Sequence, residues 1–529
     1  MKTLIKYTAL AAILVTGGCT KGFLNVEDVT NVTEQSFYRT PEDAYRALVG
    51  VYDGLQTIWA EGVALPVAAE IFSDNCFGGT GASDGFGYQM IDEFDRGRSP
   101  SDQNLFGGNW EAYYRAIYRA NMLLSKLDEI DWSNEPALRA VYEGETRFLR
   151  AYLYFDMVRL WGNIPLLTEP SADNIPQAHP DEVYAVIAAD LEYAAANLPA
   201  VAYVANNPDA GRATKWAAQS MLARVYLYYT GYYGKADLVG VVTKAEALAG
   251  LEEVIASSGH GLVADFASLW PAASVANYAG EDNEETIFAV KYTYTSDYDG
   301  NTDGNHWMVM YGMREQWSYP YGNGWGGATV NPKLWGAYND NDTRRGASII
   351  SIADEGINFT NQSRQREYTG YYVKKYSPMV DEAGNSLPVN QGATNFMIGQ
   401  YQDYVAIRYA DVLLMAAELG SANAQQYFDA VRQRAYGTNF SALTVSTENL
   451  QRERRLEFAF EGIRYWDLLR QGVDAAAAAI AETTVVQNAG AATDKVIAAS
   501  NIIGTEGLQQ IPYTQITLSN GTLVQNKGW

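Results

Sequence analysis

The stretch ERRLEFAFEGIRYWD, residues 453–467, sets charged side chains among aromatic and aliphatic ones. A second stretch of the same character, IRYADVLL, spans residues 407–414. Charges placed beside apolar residues on helices are typical of paired ions that fix how helices dock. We therefore interpret these charges as parts of a helical scaffold and not of a ligand site. They are Arg408, Arg454, Arg455, Glu457 and Asp467.

Outward from these stretches, apolar residues recur at helical spacing over much of the chain. One helix begins at Thr40, which can cap it, and is followed by Pro41 and two acidic residues that suit a first turn. Residues 217–257 resemble a tetratricopeptide helix pair, although a generic helical hairpin fits that segment equally well. The pattern predicts a mainly α fold with a tetratricopeptide-like helical scaffold. The other predicted helices span residues 109–127, 136–161, 180–198, 214–233, 243–258, 408–436 and 447–471.

Between residues 272 and 406 the composition shifts toward Gly, Asn, Asp and aromatic residues. Short runs such as Ile287–Tyr292 indicate strands. We predict an irregular, loop-rich insert with short β segments here, enclosed by the scaffold at residues 36–271 and 407–475.

The first residues have the features of a lipoprotein signal. Lys2 and Lys6 form a positive region, an apolar run follows, and Thr16-Gly17-Gly18 supplies small residues before Cys19. A cytosolic cysteine is the alternative, but the apolar run is too short to span a bilayer. We predict a signal peptide at residues 1–18, an acylated Cys19 and a single mature domain at residues 19–529.

Composition narrows the classes of ligand. The net charge of −24 disfavours nucleic acid as a ligand, while 38 Tyr and 12 Trp exceed what a core alone usually needs.

Cys76 would be a lone thiol once Cys19 is acylated. A buried structural cysteine is favoured over a nucleophile, because none of the three histidines lies in a recognisable motif.

Several ordered segments together form a recognisable pattern. They are Cys19, TPEDA at 40–44, ETRFLRA at 145–151, LWGNIPL at 160–166, and residues 407–414 and 453–467. This pattern resembles the SusD/RagB-like family of glycan-binding outer-membrane lipoproteins of Bacteroidetes. The resemblance implies a lipid-anchored protein of the outer membrane that faces the cell exterior. It also implies capture of an oligosaccharide or polysaccharide for a SusC-like TonB-dependent transporter, without bond cleavage and without a cofactor.

In the resembled family an arc of aromatic rings on loops outside the scaffold binds sugar. Trp and Tyr planes suit the apolar face of a sugar ring, while polar side chains orient its hydroxyls. Two stretches have this composition, residues 77–106 and 292–325, and we favour the second. The predicted glycan-binding residues are Tyr294, Tyr298, Trp307, Trp317, Tyr321 and Trp325 in the second stretch, which also holds Tyr319, and Asp84, Phe86, Tyr88 and Asn104 in the first.

A weaker pattern concerns calcium. Asp297, Asp299, Asn301 and Asp303 alternate like the start of a calcium loop, but Thr302 replaces the required glycine and Met308 the terminal glutamate. We predict no metal, and keep these four residues as minor candidates.

Two other functions stay open. One is a helical-repeat scaffold that binds peptides or proteins, and the other is an all-helical glycosidase. Asp411 and Glu418 are not a good catalytic pair, because seven residues of helix separate them by about 10 Å along the axis.

Overall fold

The computed structural model describes residues 37–60, 63–95, 97 and 105–529. The predicted signal peptide, Cys19 and the candidate Asn104 lie outside these residues. Within the described part, regular structure is mainly helical and the strands are short, which confirms the predicted fold class. None of the helices described there combines the length and the hydropathy needed to span a bilayer.

The helices begin close to the predicted positions. At the start of α1 (Pro41–Thr57), Thr40 Oγ1 accepts a hydrogen bond from the Asp43 N–H at 3.2 Å, and the Asp43 carboxylate accepts one from the Thr40 N–H at 2.9 Å. This reciprocal cap satisfies backbone donors that the first turn leaves without partners. The other α-helices are α2 (Leu65–Ile71), α3 (Gly87–Glu93), α4 (Gly107–Lys126), α5 (Pro136–Trp161), α6 (Pro180–Asn197), α7 (Lys215–Tyr233), α8 (Lys244–Ser257), α9 (Pro332–Ala337), α10 (Arg344–Ser348), α11 (Leu387–Asn390), α12 (Tyr409–Glu418), α13 (Ala424–Tyr436), α14 (Thr447–Glu457), α15 (Arg464–Leu469), α16 (Val473–Ile480), α17 (Ala499–Gly504) and α18 (Tyr513–Leu518).

Helices that follow one another in the chain pack against one another. Contacts join α4 to α5, α5 to α6, α6 to α7 and α7 to α8. Helix α12 packs on both α8 and α13, so the second scaffold segment extends the same array. Stacked helix pairs of this kind bury a continuous core and are typical of helical-repeat architecture.

The strands are joined in antiparallel or parallel pairs. Strand β4 (Thr286–Val290) pairs antiparallel with β10 (Tyr404–Arg408), so the chain leaves and re-enters the scaffold at one place. Strand β1 (Cys76–Gly79) pairs antiparallel with β7 (Gly327–Val330) and ties the first half of the chain to the insert. The other strands are β2 (Ile164–Pro165), β3 (Gln177–Ala178), β5 (Met313–Arg314), β6 (Asn323–Gly324), β8 (Ile349–Ser351), β9 (Tyr371–Val373), β11 (Glu482–Asn488) and β12 (Ala491–Ile497).

A buried ion network joins the insert to the second scaffold segment. The Glu457 carboxylate accepts hydrogen bonds from Arg344 at 2.9 Å and from Arg408 at 2.6 Å, and also from Arg434. Arg408 further binds Glu461 at 2.8 Å. The side chains of this network are almost wholly buried. The structure therefore confirms that these charges dock helices.

Arginines also occupy the two carboxylates that might have suggested catalysis. Asp411 binds Arg454 at 2.6 Å and Arg224 at 2.6 Å, and Glu418 is paired with Arg470. Both carboxylates are therefore parts of the scaffold.

Two long predicted helices are each divided in the structure. The predicted helix 408–436 is broken between α12 and α13, where Gly420 has φ +83°. The predicted helix 447–471 is broken between α14 and α15, where Gly462 has φ +72°. A side chain at position 462 would meet Pro66, because its Cβ would lie 2.9 Å from the Pro66 Cα. Close packing against α2 therefore requires a glycine and a turn at this position.

Cys76 lies in β1 and is 1% exposed. Burial raises the pKa of its thiol well above the ordinary value, which disfavours the reactive thiolate. The structural interpretation of Cys76 is confirmed.

Glu70 of α2 makes stability depend on pH. Burial raises its pKa from 4.5 to about 7, although Asn75 Nδ2 and the Gly462 N–H each donate a hydrogen bond to it at 2.9 Å. A raised carboxyl pKa favours the folded state below pH 4.5, and this contribution is lost as the pH rises through 7. In urea titrations from pH 4.5 to 8, we expect wild type to lose about 3 kcal/mol of unfolding free energy relative to Glu70→Gln. A difference that does not vary with pH would contradict the assignment.

Candidate functional site

Trp317 is the most prominent exposed ring of the insert. Its side chain is 46% exposed, and the benzene half of the indole packs against Gly384, which has φ +84°. A Cβ at position 384 would overlap the indole. The glycine thus holds one part of the ring in place and leaves the rest accessible to a ligand.

The turn beneath Trp317 is held by Asp381. Its Oδ1 accepts hydrogen bonds from the N–H groups of Asn385 at 2.8 Å and Ala383 at 3.0 Å, and its Oδ2 accepts one from Asn390 Nδ2 at 2.9 Å. These hydrogen bonds lower the pKa of Asp381, and the bond from the Asn385 N–H contributes most. Residues 379–401, which we name the support loop, therefore have an ordered turn under the indole.

The support loop also holds three tyrosines of the insert. Tyr298 is 68% exposed, and its hydroxyl accepts a hydrogen bond from Asn395 Nδ2 at 2.7 Å. The ring of Tyr294 lies edge-on to Tyr401, with centroids 6.4 Å apart. Tyr319 is 45% exposed and precedes Pro320, whose carbonyl accepts a hydrogen bond from the Val380 N–H at 3.0 Å.

We name these rings together the aromatic surface. Its members are Tyr294, Tyr298, Trp317, Tyr319 and Tyr401. The sequence analysis did not select Tyr401, because it is distant along the chain and lies outside both aromatic-rich stretches.

Two predicted rings are core residues, and we correct the prediction for them. Trp307 is 4% exposed and packs on Tyr376 and Tyr404, with ring centroids 5.2 and 5.8 Å away. Tyr321 is 5% exposed, and its hydroxyl donates to Glu355 at 2.6 Å. Neither ring offers a face to a sugar. Trp325 is partly buried, and its ring lies edge-on to that of His306 with centroids 5.6 Å apart.

The first aromatic-rich stretch is brought to the insert by two arginines. Asp84 is exposed and accepts hydrogen bonds from the Gly81 N–H at 2.7 Å and from Arg314 at 3.2 Å. Phe86 is 49% exposed, and the Arg366 guanidinium lies 4.2 Å from its ring centroid. Tyr88 is only partly accessible. Asp84 and Phe86 are accessible and contact residues of the insert, so they remain candidates.

The acidic run from 297 to 303 is a hydrogen-bonded turn. Asp297 Oδ1 accepts hydrogen bonds from the N–H groups of Asp299 at 2.8 Å and Asn301 at 3.0 Å. Asn301 Oδ1 accepts another from the Asp303 N–H at 3.0 Å. Asp and Asn side chains favour such turns because they bond the backbone a few residues ahead. Turn formation accounts for the alternation without a cation.

We expect calcium to leave this turn unaffected. Extracellular calcium modules bind in the range of about 10⁻⁴ to 10⁻³ M, so about 5 mM calcium tests the site well. Neither this calcium nor EDTA should shift the melting temperature measured by differential scanning fluorimetry by more than about 1 °C. A larger rise with calcium that Asp297→Asn abolishes would restore the calcium hypothesis.

The described residues contain one group of three carboxylates close enough to hold a metal, formed by Asp92, Glu93 and Glu367. Lys495 Nζ binds all three, at 3.0, 3.0 and 2.5 Å respectively. The ammonium group supplies the positive charge that the cluster needs. The cluster thus joins β12 to α3.

Glu281 and Asp403 are the pair to consider for acid–base catalysis. Burial raises the pKa of Glu281 to about 8 and that of Asp403 to about 6. The Asp403 carboxylate, however, is 2% exposed, accepts the Tyr292 N–H at 2.9 Å and is paired with Lys291. A glycosidase needs both carboxyl groups at the sugar. Asp403 is covered, so this pair does not fit that role.

A groove of about 790 Å³ lies on the scaffold between α4, the loop at 165–175 and α18. Tyr118 and Leu518 line it and are 47% and 63% exposed. Glu111, at the same groove, accepts a hydrogen bond from Gln515 at 3.1 Å. If the helical scaffold binds a peptide or protein, this groove is the candidate binding site.

This chain resembles known proteins in both sequence and fold. Residues 355–529 match the family model described as "SusD family", and residues 85–227 match one described as "Starch-binding associating with outer membrane". A relative from Formosa agariphila, SusD-like protein P25, is 26% identical over 491 residues, which cover 85% of this chain and 86% of the relative.

Solved structures of other proteins resemble the fold of this chain over nearly its full length. A laminarin-binding SusD-like protein is 28% identical, with a TM-score of 0.72 over 93% of this chain and 100% of that one. Surface glycan-binding protein A from Bacteroides fluxus is 25% identical, with a TM-score of 0.76 over 93% of this chain and 100% of that one. The two family models match separate parts of the sequence, and the likeness in fold extends over nearly the whole chain, so these findings together support the SusD-like family for this chain.

Proposed function

We propose that this chain is a surface glycan-binding protein that captures an oligosaccharide or polysaccharide without cleaving it. The observation that carries the proposal is the aromatic surface, where Trp317, Tyr298 and Tyr319 are each at least 45% exposed and lie beside the support loop. The likeness to a laminarin-binding SusD-like protein supports the same function.

The physical chemistry of the surface suits sugars. Indole and phenol rings give apolar contact area to the C–H face of a sugar, and neighbouring amide and hydroxyl groups can bind its rim. Asn395 already places the Tyr298 hydroxyl by a hydrogen bond. A ring fixed before binding loses little side-chain entropy when the ligand arrives.

The proposal includes a place at the outer membrane. The predicted acylation of Cys19 would tether the chain, and a matched family description mentions association with the outer membrane. We further propose that the bound glycan passes to a SusC-like TonB-dependent transporter, as the family resemblance implies. Purification of the native lipoprotein from membranes, followed by identification of co-purifying barrels, tests the partnership. Recovery of the protein alone would count against it.

A panel of purified polysaccharides tests the binding function. We expect retarded migration in affinity electrophoresis on at least one polysaccharide, and we expect no release of reducing ends from that polysaccharide on prolonged incubation. Laminarin is the first to try, because a relative binds it. Release of reducing ends by pure protein would favour the glycosidase, and failure to bind any polysaccharide would overturn the proposal.

The groove on the scaffold favours a second candidate, a binding site for a peptide or protein. Its volume and its exposed Tyr118 and Leu518 would accommodate an extended chain. Under this alternative, Tyr118→Ala abolishes ligand binding and Trp317→Ala leaves it intact. Under the glycan proposal the two results are reversed.

A further inference from the structure

The segments that build the aromatic surface are acidic. Residues 292–313 contain Asp297, Asp299 and Asp303 but no lysine or arginine. Residues 376–403, which include the support loop, contain Asp381, Glu382 and Asp403 and again no lysine or arginine. Asp299 and Glu382 are exposed. Both exposed carboxylates lie close to the rings along the chain, because Asp299 follows Tyr298 and Glu382 is two residues before Gly384, against which Trp317 packs.

The cations on neighbouring segments are already engaged by carboxylates. Arg314 binds Asp84 at 3.2 Å and Glu315 at 3.4 Å. Arg364 is paired with Glu315 as well. Although the Arg364 side chain is 67% exposed, the two arginines and the two carboxylates of Asp84 and Glu315 carry no net charge together, so this group adds no net attraction for an anionic ligand.

Two further cations of the same region are held in a similar way. Lys374 binds Glu355 at 2.9 Å and is largely buried. Arg366 is 7% exposed and donates to the carbonyl groups of Gly85 at 2.9 Å and Ala82 at 3.0 Å. The basic groups close to the aromatic surface thus stabilise the insert itself.

We infer that the aromatic surface takes uncharged glycans and discriminates against sulfated or uronate-rich ones. The inference rests on the proposed function and names its substrate class. Carboxylates at the rim repel sulfate and carboxylate groups on a ligand, and the net charge of −24 adds a long-range repulsion. Salt screens such repulsion within about 10 Å at 0.1 M, so the discrimination is strongest at low salt.

The experiment compares each neutral polysaccharide that binds with its own sulfated derivative. At about 0.02 M salt, where charges are weakly screened, we expect the sulfated form to bind at least tenfold more weakly, and we expect the ratio to fall at about 0.5 M. Calorimetric titration with oligosaccharides of one length provides both affinities.

Charge-reversal variants test whether the carboxylates near the aromatic surface cause the weaker binding of sulfated glycans. In Asp299→Lys/Glu382→Lys, we expect the ratio of neutral to sulfated affinity to fall by at least about fivefold at low salt. The control is Glu135→Lys/Glu192→Lys, which makes the same charge change at exposed positions of the scaffold outside the groove. This control should leave the ratio within about twofold of wild type, since screening confines rim effects to about a Debye length.

The possible outcomes distinguish the preference for uncharged glycans from glycan binding itself. Equal affinities for neutral and sulfated forms, or an equal change of the ratio in both double variants, would overturn the inference and leave glycan binding intact. Tighter binding of the sulfated form would also overturn it. Failure of every neutral and sulfated polysaccharide to bind would instead remove the proposed function.

Discussion

Replacing Trp317 with alanine is expected to weaken glycan binding by about tenfold to 100-fold. Burial of a large apolar side chain contributes about 1.5 to 3 kcal/mol, and every 1.4 kcal/mol is a factor of ten in affinity. Trp317 is the largest exposed ring of the aromatic surface, and Gly384 fixes its position. Isothermal titration calorimetry with the best-binding oligosaccharide measures the effect.

Tyr118→Ala is the matched control. Tyr118 is 47% exposed and Trp317 is 46% exposed, so the two variants remove similarly accessible rings, one from the scaffold and one from the insert. Tyr118→Ala should leave the affinity within about twofold of wild type, as expected for a residue outside the interface. Loss of binding in Tyr118→Ala together with normal binding in Trp317→Ala would move the site to the scaffold groove.

Gly384→Ala provides a second route to the same residue. The added Cβ would overlap the indole, and the left-handed backbone at position 384 disfavours alanine. We expect this variant to weaken glycan binding although it removes no ring. Unchanged binding would show that the position of Trp317 against the support loop is unimportant.

The helical scaffold was largely predictable because its signals are local. Thr40 caps α1 through atoms only three residues away, and the predicted helix 136–161 matches α5 in both bounds. Periodicity of apolar side chains and capping chemistry act within a few turns, so a single sequence reveals them.

The break after α14 was missed for a reason that lies outside the local sequence. Periodicity continues across residues 458–463, but Gly462 packs against Pro66, almost four hundred positions earlier. Only the tertiary contact determines that the helix must stop there. A glycine in an apolar pattern is compatible with both a tolerated helical glycine and a turn.

Which rings of the insert belong to the aromatic surface and which are buried in the core could not be predicted, for the same physical reason. Trp307 and Trp317 stand ten residues apart in one irregular stretch of similar composition. Trp307 is covered by Tyr376 and Tyr404, whereas Trp317 has Gly384 on one part and solvent on the rest. Burial in a segment without periodicity is determined by distant partners, so composition could indicate the region but not the individual rings.

Glu457→Gln is expected to reduce the free energy of unfolding by about 3 to 5 kcal/mol. Burial raises the pKa of Glu457, but the guanidinium groups of Arg434, Arg408 and Arg344 outweigh it and hold the pKa well below its ordinary value. Glutamine keeps the shape, yet it offers one acceptor oxygen in place of two and directs an N–H₂ group at guanidinium donors. Buried arginines would then lack part of their counter-charge.

Urea denaturation of wild type and variant measures this loss, with Glu448→Gln as the control. Glu448 lies in the first turn of the same helix, α14, and is exposed, so its replacement should cost less than about 1 kcal/mol. Because the folded pKa of Glu457 is depressed, its contribution is present above pH 4.5 and is lost as the pH falls below that value. The gap between wild type and Glu457→Gln should therefore narrow on acidification. A gap below about 1 kcal/mol at pH 7 would place Glu457 among ion pairs that contribute little to stability, and the docking role of the network would have to be abandoned.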